Sequence, residues 1–488
     1  MNVKTRQSRR KFIKHTLAAT ATFGIKAASA QLATGRSRHI DSSALEKLRT
    51  QLKGGLILPK ESGYEAARRV LFWNPDTERR PAMIVKCADA DDVRYVVEFA
   101  REHGLEVAVR GGGQSMMGWG TSDGLVIDLA SMNRITINPA KRTALMDGGV
   151  LSGEVIKAAG RYGLAPALGQ CPGVGAAGVT IGGGLGWLSG LYGAACDNLL
   201  SARMVVADGQ ILSVDAESNP NLLWGLRGAG ANFGVMTDFE CRLHPIGPVT
   251  AGNIYYSINE ARPVLRFFRD FMAKAPDSFQ ATLDLVPAEG TVSITLCHSG
   301  EKAEAEQLLR SFRRVATPTK DTVKLEEFSE LANLSTAAKP GLSYSCIAAV
   351  YREELSNALI DHILDRVSQA PPNTVLGVSH YMHGEVCRLA ENATAFPLRQ
   401  SGGVHIRTSL SWDTAAQAPQ FMRWANETHQ LLRPSSGERI YANYQTHAEK
   451  GSSQAVFGNN YSRLAALKHM YDPSNFFRRN SNVEPAKI

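Results

Sequence analysis

The sequence predicts an α+β protein of two or three units, and three observations carry that reading. The chain has 488 residues, more than the roughly 150 of one typical domain. A strand–helix–strand pattern opens at Pro81 and runs into Gly111. From about residue 248 the texture changes, and strand-like runs alternate with longer amphipathic helices.

Each element has a local reason. Residues 45–53 have helical spacing, and 77–81 read as a turn. Residues 82–87 form a short apolar strand. Val93, Val96, Val97 and Ala100 recur at helical spacing over 90–103. Gly104 ends that helix, because glycine tolerates positive φ. Residues 107–109 give a second strand, and 125–129 and 135–137 give two more. Residues 150–163 read as a helix ending in glycine, followed by a Gly-rich stretch at 171–193. Strands at 203–207 and 211–214 flank Asp208-Gly209, a strong hairpin turn. Residues 235–243 form a closing strand. In the next unit 292–297 read as a strand and 356–368 as an amphipathic helix. Near the carboxyl end, 461–470 read as a helix that stops at Asp472-Pro473. These readings divide the chain into 1–30, 31–247, 248–437 and 438–488.

The net charge is +8. Lys4, Arg6, Arg9, Arg10, Lys11, Lys14 and Lys26 lie in the first 30 residues, which contain no Asp or Glu; set against +8, these seven leave +1. The rest of the chain therefore lacks the basic surface that nucleic-acid binding needs. Ser8-Arg9-Arg10-Lys11-Phe12-Ile13-Lys14, a weakly apolar run over 16–25, and Ala28-Ser29-Ala30 resemble a twin-arginine export signal with its cleavage site. This implies the twin-arginine machinery as a partner and a periplasmic or secreted destination. No later run reaches the roughly 18 apolar residues of a membrane span. The seven cysteines are scattered, with no C-x-x-C and no zinc spacing, so neither a disulfide framework nor a metal site is expected.

Three constellations can carry chemistry. Arg110-Gly111-Gly112-Gly113-Gln114-Ser115 follows a strand, and its glycines let backbone N–H groups converge on a phosphate; the same composition also suits a merely flexible loop. Gly173-Val174-Gly175-Ala176-Ala177-Gly178 matches the dinucleotide fingerprint, with Asp197 downstream. That fingerprint should follow a buried strand and open a helix. Here Gly169-Gln170-Cys171-Pro172 precedes it and Gly182-Gly183-Gly184 interrupts any helix after it. Cys171 sits at the mouth of this stretch, as an inert thiol or a chemical group.

Together these segments resemble the FAD-binding domain shared by berberine bridge enzymes, 6-hydroxynicotine oxidase and the sugar and oligosaccharide oxidases. The likeness runs through the Arg110 loop, Cys171-Pro172-Gly173-Val174-Gly175, Gly182-Gly183-Gly184-Leu185-Gly186, Asp197-Asn198, Ala207-Asp208-Gly209 and the 223–234 segment. It returns in the tail at Asn443-Tyr444, Asn460-Tyr461 and 471–478, and Ala393-Thr394-Ala395-Phe396-Pro397 resembles a family segment near the active site. The resemblance implies a two-part FAD-binding domain of the vanillyl-alcohol-oxidase type over 31–247. It implies a substrate domain with an antiparallel sheet and helices over 248–437, and a tail returning to the FAD domain. It implicates Arg110, Gly111, Gly112, Gly113, Gln114, Ser115, Gly118, Cys171, Val174, Gly175, Gly178, Gly183, Val235, Asn480 and Asn482 in holding FAD.

The family often attaches FAD through a His and a Cys. Gln114 stands where that His would be, and an amide cannot replace imidazole as the nucleophile. Cys171 occupies the cysteinyl position, so a single thioether is implied. Tyr444 matches the family's general base. Its Gln445-Thr446-His447 surroundings depart from the usual acidic pattern, which makes His447 a secondary candidate. A phenol titrates near 10 and needs help to ionise.

The function implied is an FAD-dependent oxidase that takes a hydride from a sugar, alcohol, phenolic or amine, with molecular oxygen as acceptor. Val174 and Gly169 match family positions associated with oxygen use. The alternatives are a periplasmic dehydrogenase with another acceptor, and an inactive flavin-fold binding protein.

Overall fold

The computed structural model describes residues 40–333, 344–435, 437–446 and 451–487. The 1–30 segment lies outside them, as does His447. Three sheets order the remainder.

The first sheet holds β1 (Gly55–Ile57), β2 (Met83–Lys86), β3 (Val107–Arg110) and β4 (Leu125–Asp128), in the order β1-β2-β4-β3. β2, β4 and β3 are parallel, and β1 is antiparallel to β2. The crossover from β2 to β3 is the helix Ala90–Glu102. Asp89 caps it by accepting from the backbone of Asp91 and Asp92. Val93, Val96, Val97 and Ala100 are its buried stripe, and Gly104 leaves it at φ +62°.

The second sheet is antiparallel: β5 (Ile135–Asn138), β6 (Thr143–Asp147), β7 (Leu164–Pro166), β8 (Leu199–Val206), β9 (Ile211–Val214) and β10 (Gly234–Pro245). Its order is β5-β6-β10-β8-β9, with β7 beside β10. β6 has no counterpart in the sequence reading. The helix expected over 150–163 is shorter, Ser152–Gly160. A short helix, Ala176–Ile181, does follow the Gly-rich fingerprint, and it ends at Gly182. The preceding strand stops at Pro166, so the fingerprint's strand–turn–helix context is missing.

The third sheet is also antiparallel. It contains β11 (Val249–Ser257), β12 (Phe279–Val286), β13 (Thr291–His298), β14 (Lys320–Asp321), β15 (Lys324–Glu326), β16 (Tyr344–Arg352), β17 (Thr374–Tyr381) and β18 (Val404–Trp412). The order is β14-β11-β13-β12-β17-β18-β16, with β15 on β11. Helices Ala261–Met272, Lys302–Val315, Asn357–Ser368 and Ala418–Leu432 bury their apolar stripes against one face. Phe268, Phe312, Ile363 and Trp424 meet Leu283, Leu285, Ile294, Val378, Ile406 and Leu410 there. Side chains alternate along a strand, so the opposite face receives Thr282, Asp284, Gly377, His405, Arg407 and Ser409. That face is polar, and the site is built on it.

The tail packs back onto 224–235. Lys468 donates to the Asn232 carbonyl, Asn480 to the Ala231 carbonyl, and the Val483 amide to Asn232 Oδ1.

Candidate active site

Two glycine loops form one wall. A β-carbon on Gly112 would lie 2.3 Å from the Gly175 amide nitrogen, and one on Gly175 would lie 2.5 Å from that of Gly112. Only glycine at both positions permits this approach. One residue pair further on, Gly173 faces Gln114, whose Nε2 would be 2.9 Å from a β-carbon there. The backbone N–H groups of Gly111, Gly112, Gly113, Gln114 and Ser115 donate to no protein group among the described residues. Five consecutive open donors make a nest for an anionic ligand.

Arg110 braces this loop. Its Nε donates to the Gly120 carbonyl at 3.0 Å and its Nη1 to that of Ala67, beside Asp128 at 3.7 Å. Only Nη2 is left buried and unpartnered. Ser115 Oγ accepts from the Trp119 amide, and Gly118, at φ +66°, has its carbonyl held by Arg479. Gly178 faces open space, whereas the β-carbon of a residue at Gly183 would meet the Phe396 and Tyr441 rings. The Gly183 amide and carbonyl are both bonded within the protein. Val174 lends its carbonyl to the Ser152 amide. Val235 is a fully buried core side chain of β10, opposite Val205.

Tyr444 supplies the opposite wall. Tyr441, Asn443 and Tyr444 lie on one short turn stitched to the glycine segment: Tyr441 Oη accepts from the Gly184 amide at 2.9 Å, and Asn443 Nδ2 donates to the Val179 carbonyl at 2.9 Å. A β-carbon on Gly182 would lie 2.0 Å from Asn443 Oδ1, so this contact also requires glycine.

The half-buried Tyr444 hydroxyl lies 3.1 Å from His380 Nε2 on β17. Burial raises its pKa, opposed by the positive charge of Arg407 and by the neighbouring Ser379 hydroxyl. Cys171 lies within electrostatic range of both Tyr444 and Arg407. Burial, with some help from Arg407, lowers the His380 imidazole to about 3. Burial and then His380 push His405 well below its ordinary value. Both imidazoles are therefore neutral at working pH.

The structure thus sets the Arg110 loop against the Cys171–Gly175 segment and places Cys171 within electrostatic reach of Tyr444 and Arg407. His380, His405, Arg407, Asp284 and Ser379 were missed by the sequence reading. Their one sequence signal was a polar residue at alternate positions along otherwise apolar strands. Among the described residues no His, Cys, Asp and Glu cluster could hold a metal ion, and none of the seven cysteines is in a disulfide.

Known proteins resemble this chain in sequence and fold. The FAD binding domain family matches residues 81–215, and the berberine and berberine-like family matches 440–484. (R)-6-hydroxynicotine oxidase of Paenarthrobacter nicotinovorans is 30% identical over 90% of this chain and 99% of its own. The chain belongs to the berberine-bridge-enzyme-like FAD-linked oxidoreductases. An FAD-linked oxidoreductase of Bacillus subtilis (strain 168) is 27% identical over 90% of this chain and 98% of its own. The crystal structure of 6-hydroxy-D-nicotine oxidase from Arthrobacter nicotinovorans superposes with a TM-score of 0.82, at 28% identity, covering 89% of this chain and 98% of that one. BBE-like 1 of Physcomitrella patens shares the fold, with a TM-score of 0.80 at 23% identity over 91% of this chain and 99% of that one.

This oxidoreductase is therefore an FAD enzyme, and its residues fit the cofactor. The open amides of 111–115 suit a pyrophosphate. In the returning tail, Asn480 Oδ1 and Asn482 Oδ1 are buried and unpartnered, and a ligand's polar atoms would satisfy them. FAD, when bound, supplies the two-electron acceptor that no side chain can provide.

Proposed function

We propose that this oxidoreductase is an oxidase that removes a hydride and a proton from a small organic substrate, with molecular oxygen as final acceptor. The Tyr444–His380 contact, with Cys171 in electrostatic reach, carries the reading. Tyr444 accepts the substrate's proton at its phenol oxygen. Neutral His380, hydrogen-bonded to that oxygen through Nε2, orients it, and the phenolate form takes the proton. Arg407 lowers the cost of negative charge on the phenol oxygen. The face of the third sheet carrying Asp284, Ser379, His405 and Arg407 orients the substrate, and Gly112, Gly175 and the tail fix the position of the cofactor against it.

Several features support the finer points. Val174 and Gly169 favour oxygen as acceptor. A relative named as an oxidase, (R)-6-hydroxynicotine oxidase, aligns over 90% of this chain. Cys171 is the single covalent anchor of FAD, with Gln114 unlinked. The basic leader with Arg9-Arg10 directs the protein to the periplasm or beyond.

The deciding experiment mixes dithionite-reduced enzyme with air-saturated buffer. Reoxidation within seconds, with stoichiometric peroxide, is expected. Reduced enzyme that persists for minutes in air but reacts quickly with a quinone dye makes the protein a dehydrogenase.

A further inference from the structure

Asp284, Gly377, Arg407 and Ala349 stand in register across β12, β17, β18 and β16. Neighbouring strands are roughly 4.8 Å apart, so Arg407 must reach over Gly377 to meet Asp284, and its Nη2 does so at 3.0 Å. A β-carbon on Gly377 would lie 2.7 Å from Asp284 Oδ1. The small neighbours on either side, Gly377 and Ala349, leave part of the guanidinium uncovered on the polar face of the sheet. Its side chain keeps 29% exposure and that of Asp284 24%.

Guanidinium offers five N–H donors, and Asp284 takes one of them. Nε is buried and has no partner, a costly state that a bound acceptor would relieve. Arg407 also lies beside the reaction centre. It sits opposite Gly377, three residues before the His380 that bonds the Tyr444 hydroxyl. At the Tyr444 oxygen the influence of Arg407 exceeds that of Asp284. His380 and His405 are neutral, so Arg407 is the cation among these residues, paired on one side with Asp284.

We propose that Arg407 is a substrate anchor and that the substrate of this enzyme carries a carboxylate, seated on the guanidinium edge that Asp284 leaves free. This rests on the polar sheet face beside Tyr444 being the substrate site. Asp284 orients the fork, Gly377 makes room for it, and the carboxylate fixes the oxidised carbon beside Tyr444. An organic acid is then preferred over its neutral amide and over an amine.

The test is a titration of oxidised holoenzyme followed by the flavin absorption bands, using benzoate, phenylacetate and lactate against benzamide, phenylacetamide and lactamide. At least one carboxylate should bind about ten-fold or more tighter than its amide. Arg407→Met should lose that preference while still binding the amide, and Arg407→Lys should recover part of it. Asp284→Asn leaves the guanidinium charged and removes the competing negative charge beside it, so it should bind the carboxylate as tightly as wild type or more tightly. A purely structural ion pair would make Asp284→Asn and Arg407→Met equally damaging, and that result overturns the proposal. So does a wild-type enzyme that favours no carboxylate over its amide. The titration needs no turnover, so failure of the oxygen assay would sink the oxidase reading and leave this one standing.

Discussion

Lys468 and Asp472 form an ion pair at 2.7 Å with both side chains fully buried, one helical turn apart. Every polar atom of the pair is satisfied. Lys468 Nζ also donates to the carbonyls of Asn232 and Phe477, and Asp472 accepts from the amides of Phe476 and Phe477. The pair pins the start of the segment that presents Asn480 and Asn482. Removing one partner leaves an uncompensated buried charge, which costs about 3–5 kcal/mol. Lys468→Met should therefore unfold at markedly lower denaturant and lose flavin as the tail loosens. A wild-type midpoint with full flavin content would contradict this.

Gly112→Ala tests the cradle. Its new β-carbon cannot fit against Gly175 without parting the two loops. The variant should fold, since the contact lies outside the sheets, but purify with little or no flavin. Absorbance at the flavin bands against protein concentration checks this.

Tyr444→Phe should retain flavin and slow substrate-driven reduction by about 10²–10⁴-fold, the usual loss for a general base. Burial raises the phenol, so the wild-type rate should climb with pH through the neutral range and not level off below about 10. His380 stays neutral above about 3, so no inflection should appear near 6.5. A step there would assign proton removal to a less buried imidazole.

Cys171→Ala should release its flavin on denaturation, whereas wild type should stay yellow and exceed its peptide mass by one FAD. Gln114→Ala should not change the mass increment. Free flavin from fully loaded, denatured wild type would make Cys171 a neighbour of the ring and no more.

Replacing both Arg9 and Arg10 with Lys should hold the precursor in the cytoplasm, because the apolar run behind them is too weak to act alone. Cell fractionation and the size of the processed protein report the outcome; normal processing would remove the export proposal.

Much of the amino-terminal half was legible from sequence. The helix Ala90–Glu102, the strands around it, the hairpin at Asp208-Gly209 and the glycine loops were all readable there. The substrate side of the site was not. Asp284, His380 and Arg407 look like isolated polar residues in three separate apolar strands, and nothing near any of them in sequence names its partners. β6 was missed because Thr143-Ala144-Leu145-Met146-Asp147 has little β-branching and owes its conformation to β5 and β10 on either side.

The sequence by itself determined where the backbone must turn and which faces are apolar, and its family resemblance raised the expectation that Gly112, Gly175 and Cys171 hold a cofactor. Periodicity and φ preference act over a few residues, so they can be read locally. Only the tertiary structure decided that Arg407 reaches over Gly377 to Asp284 and that Tyr444 meets His380. These contacts depend on strand register and on the return of the tail, and both are set by how the apolar faces pack across the whole chain.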